Sequence, residues 1–144
     1  MTVTEAAPWT THPATGRAAP LVALNRWRTE PTDAGLRVTA RMPVDPTDPN
    51  LAGHFPGLPI YPGIFVIETL CQAMAAAFGA GTRLVTVTSV RFTAALLGGD
   101  ELELTADVGT DADRLTVKAV GRRRDGTVTT VLRATFRTDD GTGR

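Results

Sequence analysis

The sequence predicts an α+β domain in which one antiparallel sheet wraps a single helix. One 16-residue segment, Gly63–Phe78, has helical character and is apolar almost all the way round. Two strand-like runs precede it and four follow it. The 144 residues suit one domain with a real core, and they contain no internal repeat.

From the N-terminus, residues 1–19 mix Thr, Ala, Pro and Gly without periodicity and read as a flexible lead-in. The apolar run Pro20-Leu21-Val22-Ala23-Leu24-Asn25-Arg26-Trp27 enters a first strand, and Asp33-Ala34-Gly35 reads as a turn. Leu36, Val38, Ala40 and Met42 alternate with Arg37, Thr39 and Arg41, the pattern of a half-buried strand. Residues Asp45–Asn50, with Pro46 and Pro49, form a loop leading to His54. After the helix the strand-like runs are Leu84–Phe92, Glu101–Val108, Leu115–Arg123 and Thr127–Phe136. Hairpin turns are expected at Asp111-Ala112-Asp113 and Arg124-Asp125-Gly126, the second containing a favoured Asp-Gly pair. The domain therefore spans residues 20–137, followed by a polar, fraying tail at 138–144.

The helix is the centre of this order. Pro62 suits a first helical position, where its missing N–H has no partner in any case. Gly79 suits the left-handed conformation that ends a helix. Without Lys, Arg or Asp, and too short to cross a membrane at about 1.5 Å per residue, the segment is expected to be enclosed in a core. Two strands, a buried helix and a four-stranded meander make the hotdog layout. One sheet cannot cover every side of such a helix, so a second subunit is expected to complete the enclosure.

Charge is balanced at 15 acidic and 15 basic residues, which argues against wholesale nucleic-acid or membrane binding. Cys71 is the single cysteine and can form no intrachain disulfide, consistent with a reducing compartment and a small core side chain. The N-terminus shows no secretory signal, and a cytoplasmic location is expected. No metal-ligand cluster or phosphate-binding glycine loop is visible, so no metal or nucleotide cofactor is expected.

Two polar side chains interrupt the helix, Glu68 and Gln72, one turn apart on one face. They follow Gly53-His54-Phe55-Pro56-Gly57-Leu58-Pro59-Ile60-Tyr61-Pro62-Gly63. That loop, with a glutamate fourteen residues after the histidine and a glutamine four further on, closely resembles the signature of the FabZ-type 3-hydroxyacyl-acyl-carrier-protein dehydratases. The resemblance extends from Pro20 to about Arg137, through Pro20–Trp27, Arg91-Phe92 and Gly99-Asp100-Glu101-Leu102. Tyr61 stands where methionine is usual, Asn25 replaces an aspartate, and a Pro-His-Arg before the first segment is missing.

Dehydration of a 3-hydroxyacyl thioester needs a base for the C2 proton and an acid for the departing hydroxide. An imidazole that titrates near neutrality, His54, can take the proton. A carboxyl among Phe65, Ile67 and Leu70 can hold its own proton long enough to deliver it, which gives Glu68 the acid role. Free N–H groups at the helix start, Gly63 and Ile64, can receive the thioester oxygen. The resemblance implies the same roles, with Gly63 N–H on the thioester carbonyl, and Gln72 is a candidate to orient Glu68. Phe55, Tyr61 and Phe65 are candidates to line the acyl tunnel. The implied substrate arrives on the phosphopantetheine of an acyl carrier protein, for which Arg91, Arg122, Arg123 and Arg124 are candidate docking residues. The cluster at 122–124, beside a turn, is otherwise a solvated charge group. A homodimer or higher homo-oligomer is implied, with a heterodimer of related hotdog subunits as the alternative. Rival readings are a subunit of an obligate heteromeric dehydratase and a hotdog thioesterase. His12, in the lead-in, has no assigned role.

Overall fold

The computed structural model describes residues 7–11, 22–48, 51 and 60–139. In chain order the elements are β1 (Thr10–Thr11), β2 (Arg26–Thr32), β3 (Gly35–Pro43), helix α1 (Gly63–Phe78), β4 (Arg83–Phe92), β5 (Glu101–Asp111), β6 (Arg114–Arg122) and β7 (Val128–Arg137). The strands form one antiparallel sheet in the order β1-β2-β3-β5-β6-β7-β4, the hotdog layout expected.

Alternation decides which face of the sheet is buried. Val38 and Ala40 on β3, Leu102, Leu104, Ala106 and Val108 on β5, and Leu115, Val117 and Ala119 on β6 point to the core, joined by Leu132, Ala134 and Phe136 of β7. They pack against Val66, Leu70, Ala73 and Met74 of α1. Each large side chain so removed from water contributes about 1.5–3 kcal/mol relative to exposure. The outer face carries charge pairs set by register: Arg37 lies opposite Asp107 and Arg41 opposite Glu103, with contacts of 2.8 and 2.7 Å. Exposed pairs of this kind are worth only about 0.2–1 kcal/mol each.

The hairpins form where turn chemistry places them. The β5–β6 loop is Ala112-Asp113, with Ala112 at φ 54, and Gly126 turns the β6–β7 connection at φ 86. Asp125 is held well below the usual carboxylate range, at about 2, by hydrogen bonds from Thr127 and then from Arg123.

Four expectations need correction. The apolar residues 22–24 precede the first core strand rather than form it, and β2 runs from Arg26 through Pro31 to Thr32. Pro31 is tolerated because β1 pairs only with Trp27 and Arg26, which leaves the rest of β2 at an open edge. Within the supposedly flexible lead-in, Thr10 and Thr11 form β1. Trp9 also lies against the guanidinium groups of Arg28, Arg41 and Arg26, at 4.4, 4.8 and 5.0 Å. Thr138, the first residue of the expected tail, donates its N–H to the Asp113 carbonyl at 2.8 Å. Finally, Pro62 is the N-cap of α1 and Gly63 the first helical residue.

Helix α1 is also less enclosed than its composition implies. Val66, Thr69, Leu70, Ala73 and Met74 are buried, whereas Ile64 is 66% exposed and Glu68, Cys71 and Gln72 are half-buried. One sheet covers one face of the helix, for the geometric reason given above. Gly79 ends it at φ 115, a conformation that suits glycine, and its N–H reaches the Ala75 carbonyl at 2.9 Å.

Candidate active site

Glu68 is placed by helical periodicity. At about 100° per residue it lies some 160° around α1 from Val66, which faces the sheet. Gln72, one turn on, shares that face and holds it in place: its Nε2 donates to Glu68 Oε1 at 3.1 Å. The other end of the amide is fixed too, because Gln72 Oε1 accepts the Ala23 N–H at 3.0 Å. Those two bonds settle which way the amide points, and they tie the helix to the segment that enters β2. The expected second member of the pair, His54, lies outside the described residues, as do Phe55 and His12.

Around the carboxylate stand two weak acids that keep their protons. Burial, opposed by a hydrogen bond with Thr69 and reinforced by the charges of Asp48 and Glu68, pushes the Tyr61 phenol up to about 12. Burial and then the charge of Glu68 push the Cys71 thiol up to about 11. Cys71 is therefore a poor nucleophile near neutral pH. Tyr61 is anchored at both ends: its hydroxyl meets Thr69 Oγ1 at 3.2 Å, and its ring meets Phe65 edge-on with centroids 5.5 Å apart. Thr69 was not singled out from sequence. Its hydroxyl also donates to the Phe65 carbonyl one turn back, at 3.0 Å.

The start of α1 opens on a cavity of about 690 Å³ whose walls include Tyr61, Gly63, Val66, Phe92, Ala95 and Thr129. Gly63 is pressed by the Phe92 ring: a Cβ at 63 would come within 2.7 Å of Phe92 Cζ. The missing side chain is what lets the ring close over the helix N-terminus. Phe92 and Thr129 were not among the sequence candidates. Phe92 falls within the Arg91-Phe92 segment of the resemblance, but its place at the site follows from the crossover that brings β4 beside β7.

The structure thus brings Gly63 and Tyr61 together in the cavity, and pairs Glu68 with Gln72 farther along the helix, outside the cavity's lining. Phe65 borders Tyr61 and is partly buried.

The arginines divide. Arg123 is structural: Nε reaches both Asp125 oxygens at 3.1 Å and Nη1 donates to the Ala95 carbonyl at 3.2 Å, buttressing one wall of the cavity. Arg122 and Arg124 are exposed and line, with Arg41, Glu101 and Glu103, a surface groove of about 500 Å³. Arg91 is exposed on β4. Among the described residues, no group of three or more His, Cys, Asp or Glu is placed to hold a metal. Nor is any described helix long and apolar enough to cross a membrane.

With this geometry in hand, the ApeI-like (ApeI dehydratase) family model matches residues 29–130, a stretch that contains the whole loop, the helix and the arginine cluster. The chain belongs to this family. It is 30% identical over 108 residues to the 3-hydroxyacyl-[acyl-carrier-protein] dehydratase FabZ of Nitrosomonas europaea, covering 68% of this chain and 71% of the relative. It is 33% identical over 87 residues to the FabZ of Anaeromyxobacter sp., covering 53% of this chain and 55% of the relative. The chain thus spans little more than half the length of that curated relative. In fold it is similar to the dehydratase heterocomplex ApeI:P from Xenorhabdus doucetiae, with a TM-score of 0.58, 20% identity, and 70% of this chain and 87% of the other covered.

Proposed function

We propose that this member of the ApeI-like family removes water from a 3-hydroxyacyl thioester, giving the trans-2-enoyl thioester, at a site shared between two chains. The observation that carries this reading is the clamp on Glu68. Gln72 donates to Oε1 and is itself held by the Ala23 N–H, so the carboxyl is aimed before substrate arrives. His54 takes the C2 proton, charge moves to the thioester oxygen at the Gly63 and Ile64 N–H groups, and Glu68 protonates the departing hydroxyl, which leaves as water. C2 loses a proton, C3 loses hydroxide, and no cofactor enters the balance.

The separation of Glu68 from the Gly63 cavity within one chain supports the sharing. So does strand β4, an open sheet edge with Leu84, Val85, Val90 and Phe92 exposed. Two copies joined there would supply what one chain lacks. A related but different hotdog subunit is the second reading, favoured by the same apolar edge and by the heteromeric state of the Xenorhabdus relative. The substrate rides on the phosphopantetheine of an acyl carrier protein, and the enzyme works in the cytoplasm in fatty-acid or polyketide-type biosynthesis.

His54→Ala and Glu68→Gln should each lower the rate by roughly 10²–10⁴-fold. Unfolded together in equal amounts and refolded, they should recover about a quarter of wild-type activity. Half the dimers are then mixed, and each mixed dimer has one undamaged site, as two-fold symmetry requires. A mixture that stays inactive despite confirmed exchange rejects the shared homodimeric site. Wild-type protein that makes enoyl product only with a second subunit favours the heteromer, and release of free thiol without enoyl product favours a thioesterase.

For carrier docking, Arg91, Arg122 and Arg124 remain candidates, since Arg123 is occupied, and the pair at 122 and 124 is tested first. Reversing both to Glu should raise KM for carrier-bound substrate and leave a pantetheine thioester unaffected. Equal effects on both substrates leave the pair as a solvated charge group.

A further inference from the structure

Strand β7 departs from regular pairing with β6 at one point, and Thr129 there is among the residues that line the cavity. Gly121 of β6 lies opposite Thr130 and Arg122 opposite Val128, so Thr129 is an extra residue without a cross-strand partner. Such a bulge re-aims a side chain that strict alternation would send to the other face. Here Thr129 and Thr130 are consecutive, yet both are 1% exposed, while Val131 next to them is 42% exposed. Both carbonyls of the bulge are engaged: Thr93 N–H donates to the Thr129 carbonyl at 2.9 Å and Thr93 Oγ1 to the Val128 carbonyl at 2.8 Å.

The Thr129 hydroxyl is different. It is buried and, among the described residues, has no hydrogen-bond partner. Leaving such a group unpaired is unfavourable, and a buried polar group without a partner calls for one. Gly121 keeps space beside it, since a Cβ there would lie 3.3 Å from Thr129 Oγ1 and 3.1 Å from Leu102 Cδ1. Of the other hydroxyls that line the cavity, Tyr61 is engaged by Thr69 and Thr93 by the Val128 carbonyl, and Thr130 stands beside Thr129. Thr129 therefore holds an unused donor and acceptor just behind the wall of a largely apolar cavity that begins at Gly63, where a change of side-chain rotamer would present them.

We propose that Thr129 is a specificity-determining residue whose hydroxyl bonds an oxygen carried on the acyl chain beyond the reacting carbons. The site would thereby favour oxygenated acyl thioesters over plain aliphatic ones. The proposal rests on the cavity's being the acyl site of the reaction above. A hydroxyl, keto or ether oxygen meets the requirement, because a threonine hydroxyl can both donate and accept.

Calorimetric titration of wild-type and Thr129→Val protein with two acyl-pantetheines of equal length, saturated at C2–C3, one with a keto oxygen along the chain and one without, tests it. A saturated acyl thioester can be neither dehydrated nor hydrated, and valine matches threonine in shape. Wild type should bind the keto compound roughly tenfold more tightly, the scale of one hydrogen bond to a buried, otherwise unpaired group. Thr129→Val should erase that preference while melting no lower than wild type. The same preference in both proteins, no preference in wild type, or no binding of either compound overturns the proposal; a bound water alone would then satisfy the hydroxyl. Binding with the expected preference but no dehydration of 3-hydroxyacyl-pantetheines would reject the dehydratase reading and leave this one standing.

Discussion

Strands β5 and β4 are similar in composition and opposite in fate. β5 carries Leu102, Leu104, Ala106 and Val108, and buries all four to 2% exposure or less. β4 carries Leu84, Val85, Val87, Val90 and Phe92, and none of its residues is fully buried. The difference is position. β5 sits between β3 and β6 with α1 across its inner face, whereas β4 is the last strand, paired only with β7 and broken by two register shifts. Apolar content specifies that a strand wants cover; its place in the sheet decides whether one chain can give it. The helix repeats the contrast on its two faces, with Leu70 buried and Ile64 exposed.

The largest effect expected from testing this contrast lies in β5. Leu104→Ala should lower the free energy of unfolding by about 2–5 kcal/mol, because the removed atoms leave a cavity in a packed centre. A urea midpoint close to wild type would mean that the β5 face is less tightly packed than its burial implies. On β4, Val85→Ser with Val90→Ser should change the unfolding of the isolated chain by only about 0.5 kcal/mol per site. The pair should nevertheless lower the assembled mass in sedimentation, since these side chains are free to meet another chain. If the double variant instead unfolds as readily as Leu104→Ala at dilutions where no oligomer persists, β4 belongs to the core of a single chain and the contrast fails.

Much of the layout was readable before the structure. Alternation marked β3, β5, β6 and β7 to within a few residues, because each has one face on the core and one in solvent. The Asp-Gly pair marked its hairpin, and the one-turn spacing of Glu68 and Gln72 foretold the bond between them. β2 was misplaced, because Arg-Trp-Arg-Thr-Glu-Pro-Thr has no alternation to read and is strand through its pairing with β3. β1 was missed for the same reason: two threonines carry no periodicity, and Trp9 gains its place only where three arginines from β2 and β3 converge.

Sequence by itself determined what depends on neighbours along the chain: the strands that alternate, the helix and its bounds, the turns, and the carboxyl-amide pair on one helical face. Tertiary structure alone decided what depends on distant segments meeting. The return of β4 to the far edge beside β7 is one such decision, and it set Phe92 against Gly63. The Ala23 N–H that fixes the Gln72 amide comes from 49 residues away. The bulge that turns Thr129 inward exists only in the register of β7 against β6. Local periods are written in residue spacing, whereas a long-range contact is selected by the packing of the whole sheet on one helix, and no short stretch of sequence records it.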